Sequence, residues 1–377
     1  MLESDAFFND NYEESRERFR NSINEVKRIF PSASLTIKHV GDSNDDLTID
    51  VIEANASNKH ENLLIITTGL HGIEGYMGAA ILQLFIREYL PLINNQDTGL
   101  LLVHSLNPWG MKHKRRVNEN NVDLNRNFIY DWLKLDKNFN EQYSKATGFF
   151  NKKAQISSII RYNLSYNLSL IKTLFILRPK GLSNAVLLGQ YRYSNGIYYG
   201  GKNYEESTEY IIYLLRKYIK IYSNIVMIDI HTGYGPRNQM CIVNSASEEK
   251  SSEELSLLFS YPLVNKTDSK EFYAINGDMI DFVYVLQQNE FSSKKIYTTA
   301  FEFGTYGDSL MANLKSLAAI IKENQLFWYG TKNEVVDSKI KKNFMFLFYP
   351  SEIKWREKAI QDARQAFNGI FSAKNII

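Results

Sequence analysis

Apolar runs and amphipathic stretches alternate along the 377 residues of this chain. Several apolar runs lack the polar alternation of a half-buried strand, which is typical of strands that are covered on both faces of a sheet. A polar turn at 41–44 separates two of the predicted strands, as in a hairpin. The predicted strands cover residues 34–40, 46–54, 63–68, 99–103, 186–188, 224–230, 240–243 and 295–303.

Helical periodicity is found before, between and after these strands. The predicted helices cover residues 7–30, 76–90, 205–222, 253–259, 310–329 and 351–373. Residues 129–180 favour helix without strand signals, and we interpret them as a helical insertion. Because strands alternate with helices, the pattern predicts an α/β fold in which helices flank both faces of a mixed, mostly parallel sheet. We interpret residues 1–377 as a single domain that contains this insertion.

Composition narrows the classes of protein only modestly. The hydrophobic content of 44% supports a sizeable core, and a net charge of +2 gives no overall preference for nucleic acid or membrane. A single cysteine, Cys241, rules out an intrachain disulfide. The N-terminus is acidic and polar, unlike a signal peptide, and no apolar run reaches the length of a membrane span. These features predict a cytoplasmic protein and leave its oligomeric state open.

Polar side chains follow the predicted buried strands at their carboxyl ends, where α/β sheets bind ligands. Strand 63–68 leads to His71 and Glu74 in an H-x-x-E spacing, and strand 224–230 leads to His231. Strand 295–303 carries Glu302. Imidazole and carboxylate groups at strand ends are typical of a catalytic zinc site, which needs three protein ligands. We therefore predict a metal site that draws its third ligand from His231.

Several motifs in a fixed order resemble one known group of enzymes. The motifs are HGIEG, LNPWG, RRVNENNVDLNRNF, GQY…GIYYGG, DIHTGYGP and FEFGT, and together they span residues 67–307. This combination resembles the zinc carboxypeptidase superfamily, which includes the succinylglutamate desuccinylase and aspartoacylase branch. The wording is most similar to the bacterial family called domain of unknown function 2817. The resemblance implies a carboxypeptidase-like fold of the phosphorylase/hydrolase type.

The resemblance also implies a role for each residue of the metal site. His71, Glu74 and His231 would hold one Zn²⁺ per chain. Asp123 matches the aspartate that hydrogen-bonds a zinc-binding histidine and fixes its tautomer. Glu302 matches the general base, which takes a proton from the attacking water and returns it to the leaving amine.

Substrate-binding residues follow from the same resemblance. Asn125 and Arg126 match the pair that holds a carboxylate of the substrate, because a guanidinium offers a fork that suits carboxylate geometry. Arg116 matches the arginine that polarises the scissile carbonyl, although the adjacent Arg115 remains an alternative. Tyr199 belongs to a Gly-rich aromatic segment that would form a wall of the binding site.

The function that follows is a zinc-dependent hydrolase of amide or peptide bonds. The expected partner is a peptide or an N-acyl amino acid with a free carboxylate, and neither nucleic acid nor membrane is expected. Two alternatives stay open, an amidohydrolase for small N-acyl amino acids and a non-catalytic binding module on the same fold. The other histidines, His39, His60, His104 and His113, are interpreted as non-ligands. Asp229 is interpreted as a buried partner whose role the sequence does not define.

Overall fold

The computed structural model describes residues 6–267 and 277–377. Within these residues, eight strands form one sheet in the spatial order β1-β2-β4-β3-β5-β8-β6-β7. The strands are β1 (Ser34–His39), β2 (Thr48–Ala54), β3 (Asn62–Thr68), β4 (Thr98–His104), β5 (Asn224–Thr232), β6 (Met240–Asn244), β7 (Val264–Lys266) and β8 (Lys295–Phe303).

Helices cover both faces of this sheet, as the alternating pattern predicts. They are α1 (Tyr12–Asn21), α2 (Ile23–Ile29), α3 (Gly75–Leu84), α4 (Pro108–Lys112), α5 (Glu141–Lys145), α6 (Thr147–Phe150), α7 (Ile159–Leu187), α8 (Glu206–Ile221), α9 (Ser252–Phe259), α10 (Met279–Glu290), α11 (Leu310–Tyr329), α12 (Glu334–Phe348) and α13 (Ile353–Ala373). No helix in the described part of the chain is long and apolar enough to cross a membrane.

The centre of the sheet is parallel, and this arrangement positions the candidate site. β4, β3, β5 and β8 lie side by side in the same direction. The antiparallel pairs are β1 with β2, β2 with β4, and β6 with β8, whereas the edge strand β7 is parallel to β6. Every residue of β3 and β4 is buried, in agreement with their unbroken apolar sequence. The prediction of a mixed, mostly parallel sheet is confirmed. The carboxyl ends of the four parallel strands therefore meet at one edge.

Some local predictions were wrong. The predicted helix 7–30 is divided at Ser22, whose hydroxyl donates to the carbonyl of Arg18 four residues earlier. Such a bond competes with regular helix geometry. Residues 186–188 form the end of α7 and not a strand, because a short apolar run fits either structure. The sequence pattern also failed to predict β7, α10 and α12.

Two large hydrophobic clusters organise the core. The first surrounds the sheet and includes most of the apolar side chains of β2 to β5. The second joins the helices of the insertion to α11 and α12, through contacts among residues such as Tyr143, Tyr166, Leu317 and Ile340. The insertion is therefore packed against the C-terminal helices rather than against the sheet.

Candidate metal centre

The H-x-x-E segment is placed by backbone contacts directly after β3. The amides of Gly72 and Ile73 donate to the carbonyls of Arg116 and Arg115, at 3.1 and 2.8 Å. A Cβ atom on Gly72 would lie 2.2 Å from the carbonyl carbon of Gly110, so only glycine allows this approach. The loop that follows β4 is thus held against the turn that carries His71 and Glu74.

Three candidate ligands converge at the carboxyl ends of β3 and β5. One ligand atom from each of His71, Glu74 and His231 lies within 4.8 Å of the other two. All three side chains are buried, and the imidazole ring centroids are 5.0 Å apart. We call these three residues the metal cluster. The structure thus brings together the residues that the sequence predicted as ligands.

Each imidazole of the metal cluster is backed by a carboxylate on its Nε2 side. Nε2 of His71 lies 3.0 Å from Oδ1 of Asp123, and Nε2 of His231 lies 2.6 Å from Oδ2 of Asp229. The Thr67 hydroxyl donates to the other oxygen of Asp229 at 2.7 Å. Such carboxylate–histidine pairs hold the proton on Nε2 and direct Nδ1 to a metal ion. Asp229 therefore contacts His231 in the same way as Asp123 contacts His71.

The donor set fits a divalent metal ion. Nδ1 of His71 is buried and has no hydrogen-bond partner among the described residues, although Oε1 of Glu74 lies 2.9 Å away. Oε2 of Glu74 accepts from the Thr232 amide at 2.9 Å and lies 3.0 Å from Nδ1 of His231. An unpartnered imidazole nitrogen that faces a carboxylate and a second imidazole is the geometry that a zinc ion would satisfy.

Electrostatics follow from the burial of opposite charges. Burial raises the pKa of Glu74, but the two imidazoles outweigh it and lower this pKa to about 2. Burial lowers the pKa of His231, but Asp229 and Glu74 outweigh it and hold the pKa well above its usual value. Burial also raises the pKa of Asp123, but Arg116 and His71 outweigh it and hold this pKa well below its usual value. Glu74 and Asp123 are therefore ionised, as a metal ligand and the support of a metal ligand must be.

Glu302 lies beside the metal cluster on the neighbouring strand. It is the direct partner of His231 in the parallel pairing of β5 and β8, so the two side chains leave the same face of the sheet. Its Oε2 atom is buried and has no hydrogen-bond partner in the described residues. Burial raises the pKa of Glu302 to about 8. The flanking Phe301 and Phe303 are buried in the core, as the alternation of a strand predicts.

The structure separates the two adjacent arginines that the sequence left as alternatives. Arg116 donates to Asp123 through Nη1, and its Nη2 lies 2.6 Å from Nε2 of His71. Arg115 points the other way, donates to Glu323 at 2.6 Å and stacks over the Phe327 ring at 3.6 Å. Arg116 therefore belongs to the site, whereas Arg115 attaches the loop to α11.

Asn125 and Arg126 lie next to the site and are occupied by contacts with the protein. Asn125 donates to Asp278 at 2.9 Å and accepts from the Met279 amide at 3.0 Å. Arg126 donates to the carbonyls of Asn125 and Leu187, at 2.8 and 3.2 Å. Both side chains are buried, and Nε of Arg126 has no hydrogen-bond partner among the described residues.

Tyr199 and its neighbour Tyr198 lie in different surroundings. Tyr199 packs into the main core, and its carbonyl accepts from the Asp123 amide at 2.7 Å. Tyr198 has a left-handed backbone with a φ of 56°, and its ring lies 5.4 Å from the Arg116 guanidinium. The neighbour of Arg116 is therefore Tyr198, which the sequence analysis did not select.

The remaining histidines lie outside the metal cluster. His104 is buried between the Ser15 and Thr68 hydroxyls, at 2.9 and 2.8 Å, and burial lowers its pKa to about 3. His39 and His60 are exposed. His113 packs on the Trp109 ring, with 4.5 Å between the ring centroids.

Several solved structures resemble this one at low sequence identity. Bovine thrombin-activatable fibrinolysis inhibitor, solved with a tick carboxypeptidase inhibitor, matches with a TM-score of 0.45 and 18% identity over 87% of this chain and 97% of its own. Carboxypeptidase A from Helicoverpa armigera matches with a TM-score of 0.44 and 15% identity over 92% and 74%. A protein from Shewanella frigidimarina NCIMB 400, described as a succinylglutamate desuccinylase/aspartoacylase, matches with a TM-score of 0.37 and 15% identity over 78% and 72%.

Comparison with protein families gives a match over nearly the whole chain. No curated protein matches the sequence. A family model described as "Protein of unknown function (DUF2817)" matches residues 8–362, a range that contains the metal cluster, Asp123 and Glu302. The resemblance that the motifs indicated is therefore confirmed at the level of the family, and the chain belongs to DUF2817.

Proposed function

We propose that this protein is a zinc-dependent hydrolase of amide or peptide bonds. The observation that carries the proposal is the metal cluster, in which two imidazoles and one carboxylate converge while Asp123 and Asp229 hold the far nitrogen of each imidazole. Two histidines and one glutamate form one of the ligand sets of catalytic zinc, which leaves a coordination position for water or substrate. A binding module would need the ligands but not an unpaired carboxylate beside them.

Glu302 is the proposed general base. A bound zinc ion would supply Lewis acidity and lower the pKa of a coordinated water to about 7. The free Oε2 of Glu302 would accept the proton of the attacking water and return it to the leaving nitrogen. The cation would also favour the ionised form of Glu302, whose pKa burial raises to about 8 in the metal-free protein.

Arg116 and Tyr198 are the proposed partners of the scissile group. The guanidinium of Arg116 is fixed by Asp123 and carries a full charge beside His71, where it would stabilise the oxyanion of the transition state. Tyr198 replaces Tyr199 as the proposed aromatic wall, because its ring lies against Arg116. Asn125 and Arg126 remain the proposed binders of a substrate carboxylate.

Metal analysis is the direct test. The purified protein should hold about one zinc per chain, and the paired change His71→Ala with His231→Ala should abolish binding. His39→Ala is a matched control, because His39 is exposed on β1 and away from the cluster. Zinc that is absent from the wild type after loading, or retained in the double variant with native circular dichroism, would contradict the proposal.

A substrate panel would then identify the bond that is cleaved. Peptides with a free C-terminus and small N-acyl amino acids share the same machinery and differ only in the size of the pocket that they require. Turnover of the first class alone would indicate a carboxypeptidase, and turnover of the second alone an amidohydrolase. A zinc-loaded protein that cleaves neither class would favour the binding module.

A further inference from the structure

The longest helix of the insertion, α7, has two apolar faces on opposite sides. One face is buried in the second core cluster through Tyr162, Tyr166 and Leu177, and Thr173 is buried on the same face. The other points to solvent, and its side chains are between 62% and 88% exposed: Ile160, Leu164, Leu168, Ile171 and Phe175. These exposed positions follow a spacing of three and four residues, so they form one continuous stripe along the helix. We call this stripe the exposed α7 face.

An exposed stripe of this length needs an explanation. Single exposed apolar residues are ordinary on protein surfaces, but contiguous apolar patches mark interaction sites. The buried face already attaches α7 to α11, as the contact of the Tyr166 hydroxyl with the Leu314 carbonyl at 3.5 Å illustrates. The exposed α7 face therefore contributes nothing to that packing. Its burial requires a second surface outside the described chain.

The charge around the exposed α7 face identifies the kind of surface. Residues 142–204 contain no Asp or Glu and nine Lys or Arg, although the whole chain has 42 acidic and 44 basic residues. Arg161 and Lys172 border the stripe on one side of the helix, and both are exposed. Lys152 and Lys153 precede the helix, and Arg178 and Lys180 flank Pro179, where α7 is kinked. Every charged residue of the segment that carries the exposed stripe is therefore basic.

We propose that the exposed α7 face docks on an anionic membrane surface. Leu, Ile and Phe on one face with Lys and Arg beside it is the pattern of helices that lie in the plane of the lipid interface. Anionic headgroups attract basic side chains, and the apolar stripe enters the boundary with the acyl chains. The proposal revises the expectation of no membrane partner and does not depend on the proposed hydrolase activity.

A second copy of this chain would fit the same face less well. In a two-fold symmetric dimer the same patch meets itself, so the acid-free segments of both copies would face each other. Like charges brought together in this way cost free energy. An acidic protein would need an apolar groove beside its carboxylates to cover the stripe, whereas a lipid interface supplies an anionic surface and an apolar interior together.

Vesicle co-sedimentation of the full chain tests this proposal. Vesicles of phosphatidylcholine with phosphatidylglycerol should bind the protein, and pure phosphatidylcholine vesicles should bind it at least tenfold less. Because surface charges are screened over about 8 Å at physiological salt, binding should fall as the salt concentration rises. Equal binding to both vesicle types, or no binding at low salt, would overturn the proposal.

Paired variants locate the contact. Leu168→Ser with Phe175→Ser removes apolar stripe residues, and Arg161→Glu with Lys172→Glu reverses its charge; each pair should weaken binding at least tenfold. Leu257→Ser on α9 and Lys27→Glu with Lys354→Glu are controls at other exposed positions and should bind normally. Circular dichroism should be native for all of them, since the changed side chains lie in solvent. If the control variants lost vesicle binding to the same extent, the assignment of the contact to α7 would be overturned.

Sedimentation velocity without lipid tests the competing occupant. The wild type should sediment as the same species as the Leu168→Ser, Phe175→Ser variant. A wild-type dimer that this variant converts to a monomer would show that a second copy covers the stripe, and would overturn the membrane proposal.

Discussion

The metal cluster and the Asn125–Arg126 pair are joined through Asp123, but their polar atoms are occupied in different ways. The cluster directs its free atoms inward, because Asp123 and Asp229 take the outer nitrogen of each imidazole. Asn125 and Arg126 instead form hydrogen bonds within the protein, with Asp278, Met279 and two backbone carbonyls. The difference teaches that a ligand can enter the cluster without disturbing the fold, whereas a substrate carboxylate must displace a contact that Arg126 already makes.

Glu302→Gln has the largest expected effect on activity and tests whether the residue beside the metal cluster acts as the base. The change removes the proton acceptor and keeps the shape of the side chain, so turnover should fall by about 10²–10⁴-fold with zinc content unchanged. Steady-state kinetics and metal analysis of one preparation measure both. Glu357→Gln on α13 is an exposed control that should keep full activity. An active Glu302→Gln enzyme would move the base to another residue.

Asp229→Asn tests whether the outer carboxylates organise the cluster. The amide keeps the size of the side chain but holds His231 less firmly, so zinc affinity should fall by about 10–100-fold. Competition with a chelator at fixed pH measures this affinity. Asp337→Asn, at a surface ion pair with Lys341, should leave it unchanged. Unchanged affinity in Asp229→Asn would mean that His231 is held by its strand alone.

Arg126→Lys tests whether Arg126 binds a substrate or only serves the fold, which is the contrast drawn with the metal cluster. Lysine keeps the charge and loses the fork, so kcat/KM should fall by about tenfold if Arg126 turns to the substrate carboxylate. Blocking the substrate carboxylate as an amide should lower kcat/KM of the wild type by a similar factor and that of the variant only slightly. The two losses should not add, because Arg126 and the carboxylate are partners in one contact.

Additive losses would have a different meaning for Arg126. They would show that it serves the backbone carbonyls of Asn125 and Leu187 and no substrate group. The proposed recognition of a carboxylate would then fail, and the proposed zinc hydrolysis would stand.

Arg115→Lys has the smallest expected effect on activity and provides a reference for an arginine that serves the fold. Its two contacts with Glu323 and its stacking on Phe327 would be weakened. The free energy of unfolding should fall by about 1–2 kcal/mol, as urea titration would measure, and kcat/KM should stay near the wild-type value. A large loss of activity with unchanged stability would instead place Arg115 in the chemistry.

The sequence predicted those parts of the molecule that depend on local pattern. The central strands and the residues at their ends followed from apolar runs and from the spacing of His71, Glu74 and His231. Arg115 and Arg116 could not be separated, because the partner of Arg115 is Glu323, which lies 208 residues away in the chain. Tyr198 was not selected because its position beside Arg116, on a left-handed backbone, is visible only in the folded chain.

Other features were present in the sequence but hidden by averages. The amide-capping side chain of Asn333 marks the start of α12, which the pattern analysis did not include. The segment without acidic residues disappears in a net charge of +2 for the whole chain. Local charge, taken over the length of one element, would have indicated the exposed α7 face.

The pairing of His231 with Glu302 across β5 and β8 has a consequence for folding. If the two strands slipped by one residue, Glu302 would enter the apolar core and a phenylalanine would take its place beside the histidine. Phe301 and Phe303 are almost fully buried, so their burial strongly disfavours that misalignment. Phe301 and Phe303 take no part in the chemistry, but their burial selects the strand register. The register that buries both phenylalanines is also the one that places Glu302 beside His231.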